Sequence, residues 1–164
     1  MHKIALLLIA TILAAPALCG DPDTDRVFRF YNAAAGDHFY TTDRNGEVAL
    51  QSGYVAEGFA FRVITQTNVA GTSPVYRLFK SLSSGLSDHF YTASFNEAAN
   101  AATRLGYAFE NVLGYLYNSA RARTVPVYRY FNPTTVDHFY TTNPNRENLA
   151  GYNFEGILGW APNW

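Results

Sequence analysis

The sequence predicts an all-β fold with short helices, in which three repeats close around a pseudo-threefold axis. Three observations carry this. Asp-His-Phe-Tyr-Thr occurs at 37–41, 88–92 and 137–141, so His38, His89 and His138 stand 51 and 49 residues apart. Each copy follows a short aromatic-rich segment with strand alternation and precedes an apolar segment punctuated by glycine. A unit of about fifty residues of this kind cannot bury its faces alone, so its copies must stack. A β-trefoil is the first expected closure and a β-prism the second. A propeller normally needs at least about four blades.

The elements follow in order. Lys3, the apolar run 4–15 and small residues around Ala17, Cys19 and Gly20 read as a secretory signal over residues 1–20. Residues 21–164 then form one domain, with repeats at about 27–74, 75–125 and 126–164. Val27-Phe28-Arg29-Phe30-Tyr31, Val75-Tyr76-Arg77-Leu78-Phe79 and Val127-Tyr128-Arg129-Tyr130-Phe131 open the repeats as strands. A polar turn leads to the Asp-His-Phe-Tyr-Thr strand. A short helix is expected next in each copy. Asp43, Ser94 and Asn143 serve as caps, Glu47, Glu97 and Glu147 lie in the first turn, and Gly53, Gly106 and Gly151 act as stops. A third strand closes each repeat, with a bulge expected at Glu57-Gly58, Glu110-Asn111 and Glu155-Gly156.

Composition narrows the function. Aromatics make up 16% of the chain, enough for a packed core, and the formal charge is −1 with no basic stripe, which argues against nucleic acid as a partner. No stretch after the leader is long and apolar enough for a membrane helix. Cys19 is the single cysteine, so a secreted mature chain cut after it relies on its core alone. The chain reads as a secreted, extracellular monomer.

The motif admits three readings. Three imidazoles around an axis could hold a metal, but neighbouring residues on a strand face opposite ways, which weakens an Asp-His pair within one copy. The histidines could instead brace the turn, with Arg29, Arg77 and Arg129 pairing to the repeated glutamates. In the third reading, Asp37, His38 and Tyr40, with Asp88, His89, Tyr91, Asp137, His138 and Tyr140, offer acceptors, donors and ring faces to a sugar, and Trp160 adds a platform. Triplication would raise avidity. No nucleophile elbow, phosphate loop or catalytic cysteine occurs, and one motif in three copies suits binding more than catalysis.

The pattern Tyr-Arg-aromatic, then Asp-His-Phe-Tyr-Thr-Thr, then Gly-Tyr-x-x-Glu-Gly resembles a family of secreted repeat modules of uncharacterised function. The resemblance covers about residues 27–160. It implies secretion and binding, and brings no site residues with it. Copy two departs from the pattern at Ala93, at Asn111 and in a longer first turn, so its site is expected to be the weakest. The expected function is a secreted non-catalytic carbohydrate-binding module that needs no cofactor and no metal. Alternatives are a protein-binding or protease-inhibitor-like domain and, behind it, a metal-dependent hydrolase using the three histidines.

Overall fold

A computed structural model describes residues 20–164. The expected leader, Gly20 apart, and Cys19 lie outside the described residues. Nine strands form three antiparallel triplets: β1 (Thr24–Asn32), β2 (Asp37–Thr41) and β3 (Val55–Ile64), then β4 (Thr72–Ser81), β5 (Ser87–Thr92) and β6 (Ala108–Tyr117), then β7 (Thr124–Asn132), β8 (Asp137–Thr141) and β9 (Asn153–Pro162). The first strand of each triplet lies in the middle, between the motif strand and the closing strand. The all-β, three-repeat class therefore holds.

Single bridges join the triplets, Ile64 opposite Tyr115 and Tyr117 opposite Trp160. By repeat equivalence the third bridge would set Pro162 opposite Arg62. Pro162 has no N–H to give, and the sheet path runs open from β2 to β8. The pairing thus does not draw the closed barrel particular to a trefoil.

The strands form where the sequence alternates. Val27, Val75 and Val127 point inward with no exposure, against Phe61, Leu113 and Leu158 from the closing strands. The expected bulges appear as register shifts on either side of the pairs Phe28–Arg29 and Tyr128–Arg129, where Arg29 lies opposite Gly58 (φ 108°) and Arg129 opposite Gly156 (φ 151°). Asn111 occupies the matching place without a left-handed backbone, so the bulge needs the irregular register and not that conformation.

Of the three expected helices one is α-helical. The helix α1 (Phe95–Arg104) is capped by Ser94, whose hydroxyl accepts from the Glu97 N–H. Repeats 1 and 3 hold short 3-10 turns, Ala49–Ser52 and Pro144–Arg146. From the motif threonine to the stop glycine there are fourteen residues in copy two (92 to 106), twelve in copy one (41 to 53) and ten in copy three (141 to 151). Only the longest span, which is also rich in alanine, can complete nearly three turns.

At the axis Tyr40, Tyr91 and Tyr140 form a closed ring of hydrogen bonds. The Tyr91 hydroxyl accepts from the Tyr40 N–H at 2.8 Å and donates to the Tyr40 carbonyl at 2.7 Å. Tyr140 serves Tyr91 in the same way, and Tyr40 serves Tyr140. The rings meet edge-on at 5.2–5.5 Å between centroids. Each hydroxyl satisfies two backbone groups that no strand neighbour reaches, and burial raises the phenol pKa values far above the ordinary range. Tyr91→Phe is expected to destabilise the protein by about 2–4 kcal/mol, because it orphans a buried N–H and carbonyl together. Urea unfolding measures this, and a loss under about 0.5 kcal/mol, the size of an ordinary surface change, contradicts it.

Candidate functional site

The motif residues work between repeats. Asp37 is wholly buried and accepts from the His89 N–H at 2.9 Å and from its ring Nδ1 at 2.7 Å. Asp88 receives His138 likewise, and Asp137 receives His38. Each carboxylate also takes a tyrosine hydroxyl from its own repeat, Tyr54, Tyr107 or Tyr152. A carboxylate can only accept, so Nδ1 carries the proton. Nε2 then has no hydrogen-bond partner among the described residues.

Beside each histidine lies an ion-pair clamp. The Arg77 guanidinium stacks over Phe39 at 4.8 Å and donates to both oxygens of Glu47 in the preceding repeat, at 2.7 and 3.1 Å. Its Nε approaches Glu110 of its own repeat at 2.8 Å, close enough for attraction but off the hydrogen-bond direction. Arg129 with Glu97 and Glu155, and Arg29 with Glu147 and Glu57, repeat the arrangement. Glu110 Oε2 stands 3.8 Å from His89 Nε2; the other two copies show 3.6 and 3.7 Å. These groups line open clefts. The cleft between repeats 1 and 2 measures about 330 Å³ and is lined among others by Phe39, Glu47, Tyr54, Arg77, His89 and Glu110. That between repeats 2 and 3 measures about 220 Å³, with Phe90, Glu97, Tyr107, Arg129, His138 and Glu155 in the same places. Leu105, just past α1, lines this smaller cleft.

The structure sorts the sequence-selected residues. Asp37, Asp88, Asp137, Tyr40, Tyr91 and Tyr140 are at most 1% exposed. They bond to protein groups at the axis, and the residues around them line the clefts. His89 and His138 line the two clefts, and His38 is buried to the same degree. Trp160, half-buried on β9 opposite Tyr117 and Pro126, stands outside the cleft linings given above. The histidines do not converge. Among the described residues the one group of potential metal ligands close together is the aspartate triad, with carboxylate oxygens within 4.8 Å of one another, and those carboxylates are already hydrogen-bonded. Sequence reasoning paired arginine with glutamate but missed that one partner of each arginine belongs to the preceding repeat. The recurrence of arginine and two glutamates in every copy carried that signal.

These contacts set a pH dependence. Hydrogen bonds from Arg77 hold the Glu47 carboxyl below its ordinary 4.5. For Glu97 and Glu147 burial pushes upward, and the paired arginines outweigh it. For Asp37 burial is likewise outweighed, by His89 and Tyr54. Groups with depressed folded values stabilise the fold above their unfolded values and lose that contribution as pH falls through the folded ones. The urea midpoint should therefore hold from about pH 7 to about pH 5 and fall steadily towards about pH 3. A midpoint that rises on acidification contradicts the ion-pair account.

No curated protein and no solved structure matches the chain. A family model does, over residues 10–115, which takes in the first repeat and the second as far as β6. The chain, with its repeated motif tying one repeat to the next, belongs to the family described as Domain of unknown function (DUF5648).

Proposed function

We propose that the protein is a secreted, non-catalytic binding module whose inter-repeat clefts each take a sugar unit. The observation that carries this reading is the unpartnered histidine Nε2 held 3.6–3.8 Å from a glutamate oxygen in all three copies. Two polar atoms so placed are too far apart to satisfy each other, and adjacent hydroxyls of one sugar reach both. A wall of tyrosine and phenylalanine offers the ring face that a sugar's C–H side needs. Cleft volumes of about 220 and 330 Å³ suit one or two sugar units. The threefold recurrence favours avidity over catalysis.

Replacing the histidines would unpair buried carboxylates, so the test uses the glutamates. The protein is screened on a glycan array beside a Glu57→Gln, Glu110→Gln, Glu155→Gln variant, with circular dichroism confirming that the variant folds. In that variant each arginine keeps its other glutamate, which preserves the clamp. Saturable binding by the parent, about tenfold weaker or more in the variant, is the expected outcome. Equal binding by both proteins moves the sites away from the clefts. No binding by the parent at millimolar sensitivity ends the carbohydrate reading and turns the search to protein partners.

A further inference from the structure

The threefold pattern fails at one seam, where the last repeat meets the first. Gly114 and Gly159 occupy equivalent places on β6 and β9. A Cβ built on Gly114 would fall 2.5 Å from Val63 Cγ2, and one on Gly159 would fall 2.7 Å from Leu116 Cβ, so glycine permits the close approach that carries each bridge. At the same place on β3 stands Phe61, and across the seam Pro162 has no N–H to offer. The bridge is absent, and a groove of about 380 Å³ runs there instead, lined by Arg26, Phe59, Phe61, Arg62, Val125, Thr142, Pro162 and Trp164 with Ala60 and Asn163.

Its electrostatics are unlike those of the clefts. Arg26 and Arg62 are direct cross-strand partners on β1 and β3, and like charges directly opposite each other on a sheet are destabilising. Neither is in a salt bridge among the described residues, although the arginines of the clefts hold two glutamates each. The Arg26 guanidinium lies over the Phe59 ring at 5.8 Å. The nearest acid in sequence, Asp25, accepts from the Arg26 backbone N–H. Asp21 is paired with Arg123, whose own guanidinium sits over Trp164 at 5.0 Å. No acidic residue lines the groove. Two facing cations without a counter-charge among the described residues, in a groove that Phe59 and Trp164 also line, cost stability in the free protein, and a bound anion removes that cost.

We infer that this seam groove is a separate binding site for a sugar unit bearing a carboxylate, such as a hexuronate. Arg26 and Arg62 hold the carboxylate, Trp164 or Phe59 takes the ring face, and Thr142 and Asn163 meet hydroxyls. The site occurs at one seam, where the histidine–glutamate arrangement recurs in all three copies, and it does not depend on the clefts. No Arg26 or Arg62 side chain belongs to the clamps, so the two sets of sites can be separated by mutation.

Trigalacturonic acid, neutral galactotriose and sodium sulfate are each titrated into the full protein and into Arg62→Gln, following binding by calorimetry and melting by circular dichroism. Trigalacturonic acid should bind the parent and raise its Tm, with Arg62→Gln binding at least about tenfold more weakly. Galactotriose should give no shift that Arg62→Gln abolishes. In the absence of ligand, Arg62→Gln should melt at the parent's temperature or above, since one of two facing charges is gone. This also guards against a folding defect being read as lost affinity. Trigalacturonic acid bound equally by parent and variant overturns the site. Galactotriose bound as tightly as the acid overturns the anion, and sulfate reproducing the whole effect overturns the sugar. A seam that binds while the array shows no cleft binding leaves this inference standing and removes the cleft reading.

Discussion

Each repeat hands its buried aspartate to the histidine of the next, and the rest of the molecule depends on that exchange. Three carboxylates lie within 4.8 Å of one another at the axis. At an effective dielectric of about 20, two unit charges at that separation repel by at least ~3.5 kcal/mol. They coexist because each accepts a histidine N–H, an imidazole N–H and a phenol. A donor supplied by the same repeat would satisfy the carboxylate and leave the repeats unconnected. Because the donor comes from the next repeat, satisfying the charge and joining the units become one event. The tyrosine ring beneath and the arginine clamps outside run in the same direction around the axis, so three layers of polar contact agree on one order of assembly.

This explains what could be read in advance. The repeat, its period and its strands were plain because they rest on local pattern: the alternation around Arg29, the capping by Ser94, the left-handed stops at Gly53, Gly106 and Gly151. Partner identity was hidden, because Asp37 and His38 sit side by side in sequence while their bonds leave in opposite directions, to His89 and Asp137. Strand geometry even gave the clue, since adjacent side chains cannot face each other. The missing step was to send each to a neighbouring copy. The helices misled for a different reason. Glu47 looks like a first-turn acid, but it has a left-handed backbone (φ 54°) and serves Arg77, a contact thirty residues away that no local rule anticipates.

The motif's fixed identity therefore belongs first to the fold. Asp, His and Tyr recur because a cyclic hydrogen-bond network needs the same residue at every station, and a single exception would orphan a partner in the next repeat. Departures from symmetry are free to do other things. Copy two diverges at Ala93, Asn111 and in its longer turn, and yet all its network contacts are made. One addition, Ser87, donates to Asp37 at 2.9 Å. The divergence that suggested a weakened copy lies outside the network, and the cleft that His89 lines is the roomier of the two described.

From this it follows where the two clefts can differ. Residues that bind protein on every side cannot be varied without orphaning a partner, so variation falls to the positions around the clefts that the network leaves alone. Between repeats 1 and 2 these are Asn32, Val48 and Ser52; between repeats 2 and 3 they are Asn100 and Leu105. The first set mixes a β-branched apolar side chain with hydroxyl and amide groups, while the second comes from α1 and its end. A scaffold held by the same contacts in every repeat, with differing rims, presents related but unequal clefts. The same reasoning places the seam apart, because there the network's outer bridge is missing and the chain is free to set two arginines face to face.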